Sequence, residues 1–356
     1  MARAGERRRR LRRSDPSRPG LRRVRRGRGF SYHAADGARI DDPDEILRVN
    51  ELAIPPAWDD VWICADPLGH LQAVGTDAAG RRQYLYHPRW RDQRDRAKFD
   101  HMLDFAQQLP RLRRRILRTL RSGDDLDRDR VLACAVRLLD VGLFRIGSAQ
   151  YADEEGGVGL ATVAKAQVTC HHDEVVFDYT GKSGRRRVQA VSDEAAGAVV
   201  RALKRRRSGA EQLLAYRAGR RWHAVRSEQI NDYLKDQIGH AFSAKDFRTW
   251  NATVLAAVSL AADGRGASSQ RARRHAINGA VRDVSEVLGN TPAVARRSYI
   301  DPRVFDRYQS GWTIGAELDR LGGRRGPDDR RRARLEAAVL DLLHDDRASP
   351  AVAHDA

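Results

Sequence analysis

The stretch Ser243-Ala244-Lys245-Asp246-Phe247-Arg248-Thr249 opens the segment that decides the fold of this chain. Ser243, followed three residues later by Asp246, resembles a capping box, in which side chains satisfy the free N–H groups of a first helical turn. Apolar residues then continue to about residue 262, which predicts a long buried helix. Arg248 lies inside that apolar run, where a guanidinium needs an anionic partner.

The hydrophobic pattern changes its period near residue 90. Before that point, the run Val61-Trp62-Ile63-Cys64-Ala65 and the alternating stretch Gln83-Tyr84-Leu85-Tyr86-His87 are typical of strands. After it, apolar residues recur at helical spacing, interrupted by a predicted hairpin with strands near 174–179 and 186–191. We therefore predict an α+β chain, with a small β-rich N-terminal domain over residues 30–90 and a larger, mainly α-helical domain over residues 91–315.

Two tails flank these domains. Residues 1–29 hold thirteen arginines against Glu6 and Asp15, a net charge of +11 out of a total of +18, and they lack apolar periodicity, so we expect a disordered tail. Residues 316–356 are expected to form a polar tail with one amphipathic helix near 330–343. The basic balance indicates a polyanionic partner, although most of the charge belongs to one tail.

Composition argues against several other classes. Three widely spaced cysteines, Cys64, Cys134 and Cys170, give neither a disulfide framework nor a paired metal motif, and Cys170-His171-His172 lacks a second ligand cluster. We therefore expect no metal and no cofactor. The apolar run from Val254 to Ala262 is too short to span a bilayer and no secretory segment is evident, which indicates a cytoplasmic protein without a membrane partner.

Four side chains could together cleave a phosphodiester without a metal. Tyr299 offers a phenol, whose pKa of about 10 requires nearby positive charge before it can act as a nucleophile. Arg145 and Arg248 offer planar guanidiniums that bind phosphate oxygens through paired hydrogen bonds. Lys182, at the tip of the predicted hairpin, can give a proton to a departing oxygen. Each residue alone is more often structural, as a packed ring, a buried ion pair or a solvated turn; only the combination favours chemistry.

Read in order, these segments resemble the small type IB DNA topoisomerases shared by poxviruses and bacteria. The similarity runs from about residue 27 to residue 312 and rests on five stretches: Gly80–Pro88, Phe144–Gly147 with Tyr151 following, Gly181–Gly184, Lys245–Thr249 and Asn290–Tyr299. It implies the fold that type IB topoisomerases share with tyrosine recombinases, with the helical domain as the catalytic one. It also implies a monomer that clamps supercoiled duplex DNA between its two domains and is associated with the nucleoid.

The resemblance assigns a role to each matching position. Tyr299 would be the nucleophile that forms a 3′-phosphotyrosyl bond. Arg145 and Arg248 would hold the non-bridging oxygens, and Lys182 would be the general acid toward the 5′-oxygen. The implied activity is relaxation of supercoiled DNA by reversible single-strand transesterification, without ATP or metal. DNA contacts are implied for five further residues: Gln83, Tyr84, Tyr86, Tyr151 and Lys245.

One position departs from the poxvirus pattern. Asn290 stands nine residues before the tyrosine, where that pattern has His and where bacterial members are similar in carrying Asn. Its amide can donate a neutral hydrogen bond to a phosphate oxygen but cannot become cationic. Asn290 is therefore a fifth catalytic candidate, without the pH dependence that a histidine would bring.

Two other functions fit parts of the sequence. A tyrosine recombinase or integrase shares the catalytic residues, but recombinases usually carry His where this chain has Lys245. Their N-terminal part is also generally helical, whereas residues 55–88 have the pattern of strands. A non-enzymatic basic DNA-binding protein would explain the net charge alone. Only an enzyme would require Tyr299 for its activity.

Overall fold

The computed structural model describes residues 10–147, 157–322 and 329–354. The chain divides into two compact units, Met1–Asp100 and His101–Ala356. The described part of the first unit is rich in strands, and that of the second is mainly helical. The predicted α+β class, with a β-rich N-terminal part and a larger helical part, is confirmed.

The first unit is built on an antiparallel sheet with the spatial order β2-β1-β3-β4-β5. Its strands are β1 (Leu21–Arg26), β2 (Gly29–His33), β3 (Asp59–Ile63), β4 (Leu71–Thr76) and β5 (Arg82–Tyr86). Helix α1 (Pro43–Glu51) begins at Asp42, whose carboxylate accepts a hydrogen bond from the N–H of Asp44 at 3.0 Å. The core of this unit combines one residue of the helix with four of the sheet: Val49, Leu21, Val61, Ile63 and Ala73.

Part of the segment that we expected to be a disordered tail belongs to this sheet. β1 pairs with both β2 and β3, and upstream of it the N–H of Arg12 donates to the carbonyl of Leu68 at 2.9 Å. The strand is hard to recognise in the sequence because most of its residues are arginines. Leu21 is buried in the core, whereas Arg23 is half-buried. The Arg23 guanidinium lies 4.2 Å from the centre of the Phe30 ring and donates to three loop carbonyls. The local composition therefore indicates a solvated tail, whereas pairing with β2 and β3 makes the segment a strand.

Most helices of the second unit pack against one central helix. Helix α2 (Pro88–Arg121) leads into the unit. It is followed by α3 (Arg128–Gly142), α4 (Glu194–Arg205), α5 (Ser227–Ile238), α6 (Ala244–Asp263), α7 (Gln270–Leu288), α8 (Pro292–Ser298), α9 (Pro302–Gln309), α10 (Gly315–Arg320) and α11 (Asp329–Leu343). Strands β6 (Val168–Cys170), β7 (Val175–Thr180) and β8 (Arg186–Val191) form an antiparallel sheet in that order. Two small pairs complete the strands: β9 (Ala215–Ala218) with β10 (Arg221–Ala224), and β11 (Trp312–Thr313) with β12 (Ala353–His354).

Helix α6 is the central helix, and its predicted start is confirmed. The N–H of Ser243 donates to the Asp246 carboxylate at 2.8 Å, which closes the capping box. Phe247 and Trp250 are almost fully buried, and α6 packs against α3, α5, α7, α9, α10 and α11. No helix in the described part of the chain has both the length and the apolar character needed to cross a membrane.

A buried charge network joins α11 to the rest of the second unit. The Asp140 carboxylate, 3% exposed, accepts hydrogen bonds from Arg113 of α2 at 2.9 Å and from Arg332 of α11 at 2.6 Å. Glu336 of α11 accepts two more from Arg113. Burial opposes the ionisation of Asp140, but these guanidiniums outweigh it and hold the pKa of its carboxyl well below the usual range. Helix α11, which we expected within a polar tail, is therefore anchored to the rest of the second unit by buried ion pairs.

Removal of residues 2–26 is expected to unfold the first unit, because it deletes β1 and leaves β2 without a partner strand. Removal of residues 2–9 leaves every described strand in place and serves as the control. Circular dichroism and limited proteolysis of the two truncated proteins would distinguish them. A native, protease-resistant first unit in the longer truncation would contradict the assigned role of β1.

Substitution of Asp140 by Asn is expected to destabilise the second unit by about 3 kcal/mol, because it removes the buried anion that Arg113 and Arg332 share and leaves Glu336 as their one remaining carboxylate in the network. The matched control is Asp319→Asn, which breaks a largely exposed ion pair with Arg265 and should cost less than about 1 kcal/mol. Denaturant unfolding of both variants measures the difference. Equal losses of unfolding free energy would show that burial of the network is unimportant.

Candidate active site

Arg248 is the most buried cation among the candidate residues. It lies near the start of α6, is 4% exposed, and donates to the carbonyls of Leu143 at 2.5 Å and Leu288 at 2.9 Å. Leu143 follows the last residue of α3 and Leu288 is the last residue of α7, so the guanidinium joins the carboxyl ends of two helices. The partial negative charge of these helix ends compensates the buried cation.

The charge of Arg248 is retained at neutral pH. Burial, together with the like charge of Arg145, lowers the pKa of Arg248 to about 10. Two of its nitrogens donate to the helix-end carbonyls, while Nε is buried and has no hydrogen-bond partner. This unpartnered N–H donor is a group that a bound anion could satisfy.

Tyr299 lies against this guanidinium, at the end of the short helix α8. Thr291 begins the helix as its N-cap with Pro292 at the first position, as predicted, and Tyr299 leaves the helical conformation. The Tyr299 carbonyl accepts a hydrogen bond from Thr253 of α6 at 3.3 Å. The centre of the phenol ring is 5.3 Å from the guanidinium carbon of Arg248. The tyrosine is thus held by α6 through both its backbone and its ring.

The surroundings of Tyr299 favour its ionised form. Burial alone would raise the pKa of the phenol, but the positive charges of Arg248, Arg145 and Lys245, with a hydrogen bond from Arg248, outweigh that effect. The pKa of Tyr299 therefore lies below its ordinary value. Lys245 is exposed in the first turn of α6 and contributes through its charge.

Arg145 and Asn290 form a second contact pair. The Arg145 guanidinium donates to the amide oxygen of Asn290, directly after α7, and lies 3.5 Å from the carbonyl of Gly289. The amide nitrogen of Asn290 is buried and has no hydrogen-bond partner. The Arg145 backbone is fixed in turn, because its carbonyl accepts the N–H of Leu160 at 2.9 Å. Asn290 thus uses its oxygen to hold Arg145 and leaves its N–H₂ group as a donor.

Gly147, in the stretch that follows Arg145, is required by geometry. Its φ of +72° is disfavoured for other residues, and a Cβ there would lie 2.7 Å from the Cα of Gly159. The two backbone segments therefore pack together without side chains between them. This close approach helps to fix the path of the backbone after α3, and with it the position of Arg145.

Lys182 reaches the same place from the β7–β8 hairpin. It begins the short 3₁₀ turn Lys182–Gly184 at the hairpin tip and is exposed. A small pocket lies between the hairpin and the ends of α3 and α7, and its lining includes Arg145, Lys182 and Arg248. The five catalytic candidates are therefore brought together: three line one pocket, Asn290 contacts Arg145, and Tyr299 contacts Arg248.

The predicted DNA-contact residues of the first unit do not all share one face. Tyr84 and Tyr86 are exposed on the same side of β5, with ring centres 6.3 Å apart. Gln83 lies on the opposite side, where its amide donates to Asp77 at 2.8 Å. Alternation along the strand separates Gln83 from the two tyrosines. Tyr151, predicted as a further DNA contact, lies outside the described residues.

Sequence reasoning missed part of the pocket. Tyr179, Arg187 and Gln189 also line it, and the Tyr179 hydroxyl donates to the Gln189 amide oxygen at 2.5 Å. Burial raises the pKa of Tyr179, against the opposing charge of nearby arginines. The strand pattern could have revealed these residues, because positions 187 and 189 alternate inward along β8. Within the described residues, no group of three or more His, Cys, Asp or Glu side chains is arranged to hold a metal ion.

Comparison with known proteins agrees with this arrangement. The family model for the catalytic core of eukaryotic DNA topoisomerase I matches residues 87–316, and that for the N-terminal domain of bacterial DNA topoisomerase IB matches residues 29–77. The chain therefore belongs to the type IB DNA topoisomerase family. This family membership favours the first of the three functions considered from the sequence, and with it the fold of type IB topoisomerases.

A curated relative extends the similarity over most of the chain. DNA topoisomerase 1B of Acanthamoeba polyphaga mimivirus is 26% identical over 298 residues, which cover 82% of this chain and 88% of the viral protein. The chain is a type IB topoisomerase enzyme by family, and its pocket of cations beside a tyrosine is consistent with that membership.

The pKa of Tyr299 is expected to rise when Lys245 is replaced by Gln, because one of the positive charges that favour the phenolate is removed. Lys245→Arg keeps the charge and serves as the control, with a pKa close to that of the unaltered protein. NMR titration of tyrosine-labelled protein measures both. An unchanged titration in Lys245→Gln would remove Lys245 from the electrostatics of the site.

Proposed function

We propose that this protein relaxes supercoiled duplex DNA by reversible single-strand transesterification through Tyr299, without ATP or metal. The observation that carries the proposal is the pair of buried, unpartnered donors in the candidate site: Arg248 Nε, whose guanidinium lies against Tyr299, and Asn290 Nδ2, whose amide contacts Arg145. Buried donors without partners are costly, and a phosphate oxygen is an acceptor that would satisfy both. The family membership supplies the reaction class.

The proposed chemistry uses one bond exchange in each direction. The Tyr299 oxygen attacks the phosphorus, the bond from phosphorus to the 5′-oxygen breaks, and the tyrosine becomes linked to the 3′-phosphate. The phenol proton leaves to solvent, and Lys182 gives a proton to the 5′-oxygen. The phosphotyrosyl bond conserves the energy of the phosphodiester, so resealing is the reverse reaction and needs no ATP.

Positive charge on this chain would do the work that a metal ion does elsewhere. The phosphate gains negative charge on its non-bridging oxygens during attack, and the guanidiniums of Arg145 and Arg248 stabilise that charge. Arg248 is already fixed by two helix-end carbonyls, so it needs no reorganisation when the phosphate arrives. Asn290 adds a neutral hydrogen bond from its amide nitrogen.

DNA would be held by several residues outside this pocket. Tyr84 and Tyr86 present an exposed aromatic pair suited to contacts with DNA, and Lys245 carries an exposed charge close to Tyr299. Gln83 would have to leave Asp77 before it could bind DNA. Tyr151 is kept as a contact by resemblance alone. The protein would act as a monomer on the supercoiled DNA of the nucleoid.

Relaxation of supercoiled plasmid in EDTA, with no ATP, tests the proposal. The unaltered protein is expected to relax the plasmid under these conditions and to form a covalent adduct that maps to Tyr299. Tyr299→Phe should bind DNA with little change in affinity but lose relaxation by at least about a thousandfold, because the nucleophile is absent.

The matched control is Tyr308→Phe, which removes a hydroxyl from the same unit. That hydroxyl donates to the carbonyl of Gly264 at 2.6 Å and does not line the candidate pocket. It should retain relaxation. Full relaxation by Tyr299→Phe would exclude Tyr299 as the nucleophile, whereas DNA binding by the unaltered protein without relaxation or a covalent adduct would favour a non-enzymatic DNA-binding protein. Strand joining between two DNA sites, without relaxation, would favour a recombinase.

A further inference from the structure

Arg187 connects two segments that carry candidate catalytic residues. It lies on β8, shortly after the hairpin tip with Lys182, and its side chain is half-buried. Its guanidinium donates to the carbonyl of Glu286 at 3.1 Å and to that of Val287 at 2.6 Å. Both carbonyls belong to the last turn of α7, which leads directly to Asn290. One side chain thus joins the hairpin to the end of the helix.

Two glycines make room for this side chain. A Cβ at Gly181 would lie 3.1 Å from Cγ of Arg187, and a Cβ at Gly289 would lie 2.6 Å from its Nη1. Gly289 also has a φ of +62°, which favours glycine. Gly181 immediately precedes Lys182 and Gly289 immediately precedes Asn290. Arg187 therefore packs against the backbone next to both residues.

The hydrogen bonds explain why this position suits arginine. Its planar guanidinium presents two Nη donors in a fixed geometry, and these match two successive carbonyls at a helix end. Carbonyls at this end carry the partial negative charge of the helix, and that of Glu286 also accepts the N–H of Gly289 at 3.1 Å. A lysine could reach the same end but would present a single ammonium.

We propose that Arg187 is a positioning residue that fixes the hairpin to the end of α7 and so presents Lys182 to the pocket that Arg145 and Arg248 line. This inference rests on the proposed function, in which Lys182 protonates the departing 5′-oxygen. Arg187 also lines that pocket, but its guanidinium is engaged by two helix-end carbonyls, so it holds the hairpin in place and does not replace the acid. Loss of Arg187 would release Lys182 while leaving the Arg145–Asn290 contact and the helix-end bonds of Arg248 intact.

Arg186 provides a matched control on the neighbouring position. It points to the opposite side of β8, is exposed, and forms an ion pair with Asp178 at 2.6 Å. Arg186→Ala and Arg187→Ala therefore remove the same side chain from adjacent residues of one strand. Only the second removes the connection to α7.

The test measures single-turnover cleavage of two DNA substrates that differ in one atom, with oxygen or sulfur at the 5′ position of the scissile bond. A thiolate leaves readily without a proton, so the sulfur substrate does not depend on a general acid. Arg187→Ala is expected to slow cleavage of the oxygen substrate by at least about tenfold. Its rate on the sulfur substrate should stay within about threefold of the unaltered protein, and Arg186→Ala should be close to unaltered on both.

Other outcomes would overturn the inference. Equal slowing on both substrates would mean that Arg187 acts on the nucleophile, on the phosphate or on folding in general. Unaltered rates on both would mean that it has no role. If Arg187→Ala does not fold, as judged by its thermal transition, Arg187→Lys takes its place with the same expected difference between substrates. Failure of the unaltered protein to form a Tyr299 adduct would instead reject the proposed function itself.

Discussion

The burial of one guanidinium organises the candidate site. Arg248 has little access to water, so its charge requires compensation from groups that stay in place. That compensation comes from the carboxyl ends of α3 and α7, which are distant in sequence and meet at this side chain. The remaining groups follow from those ends. Arg145 lies just after α3 in the sequence, Asn290 lies just after α7, and Tyr299 follows the next short helix.

Glycine and left-handed backbone positions mark these helix ends. Leu143, with a φ of +58°, and Gly289, with a φ of +62°, both end helices and turn the chain toward the pocket. The left-handed conformation is unfavourable for a leucine, and the hydrogen bond that its carbonyl accepts from Arg248 helps to hold it there. The backbone conformation at the helix ends and the positions of the cations therefore depend on each other.

The sequence predicted what depends on local pattern. The helix after Ser243, the N-cap at Thr291 and the hairpin around Lys182 were all predictable, because capping residues, apolar spacing and turn residues act within a few positions. Four catalytic candidates were combined on their chemistry, the resemblance assigned their roles and added Asn290, and the structure brings all five together. What stayed hidden depends on partners that are distant in the chain.

Arg187 illustrates that limit. It is one of three consecutive arginines, and only the strand register and the approach of α7 distinguish it from Arg186. The strand β1 was missed for the same reason, since its arginines resemble a solvated tail until Phe30 and the loop carbonyls surround Arg23. Gln83 shows a further limit: alternation along β5 places it on the other face from Tyr84 and Tyr86, and its bond to Asp77 depends on a partner that the stretch itself does not reveal.

The charge network around Asp140 has a consequence for incomplete chains. Arg113 and its partner Glu336 are 223 residues apart, and α11 follows Tyr299 in the sequence. A chain interrupted between Tyr299 and α11 would contain all five candidate residues, yet Asp140 would lack the guanidinium of Arg332 and Arg113 would lack Glu336. Possession of the reactive groups would then not be sufficient for a stable catalytic unit. The fold thereby makes the stability of the unit that carries the five candidate residues depend on polypeptide that follows Tyr299.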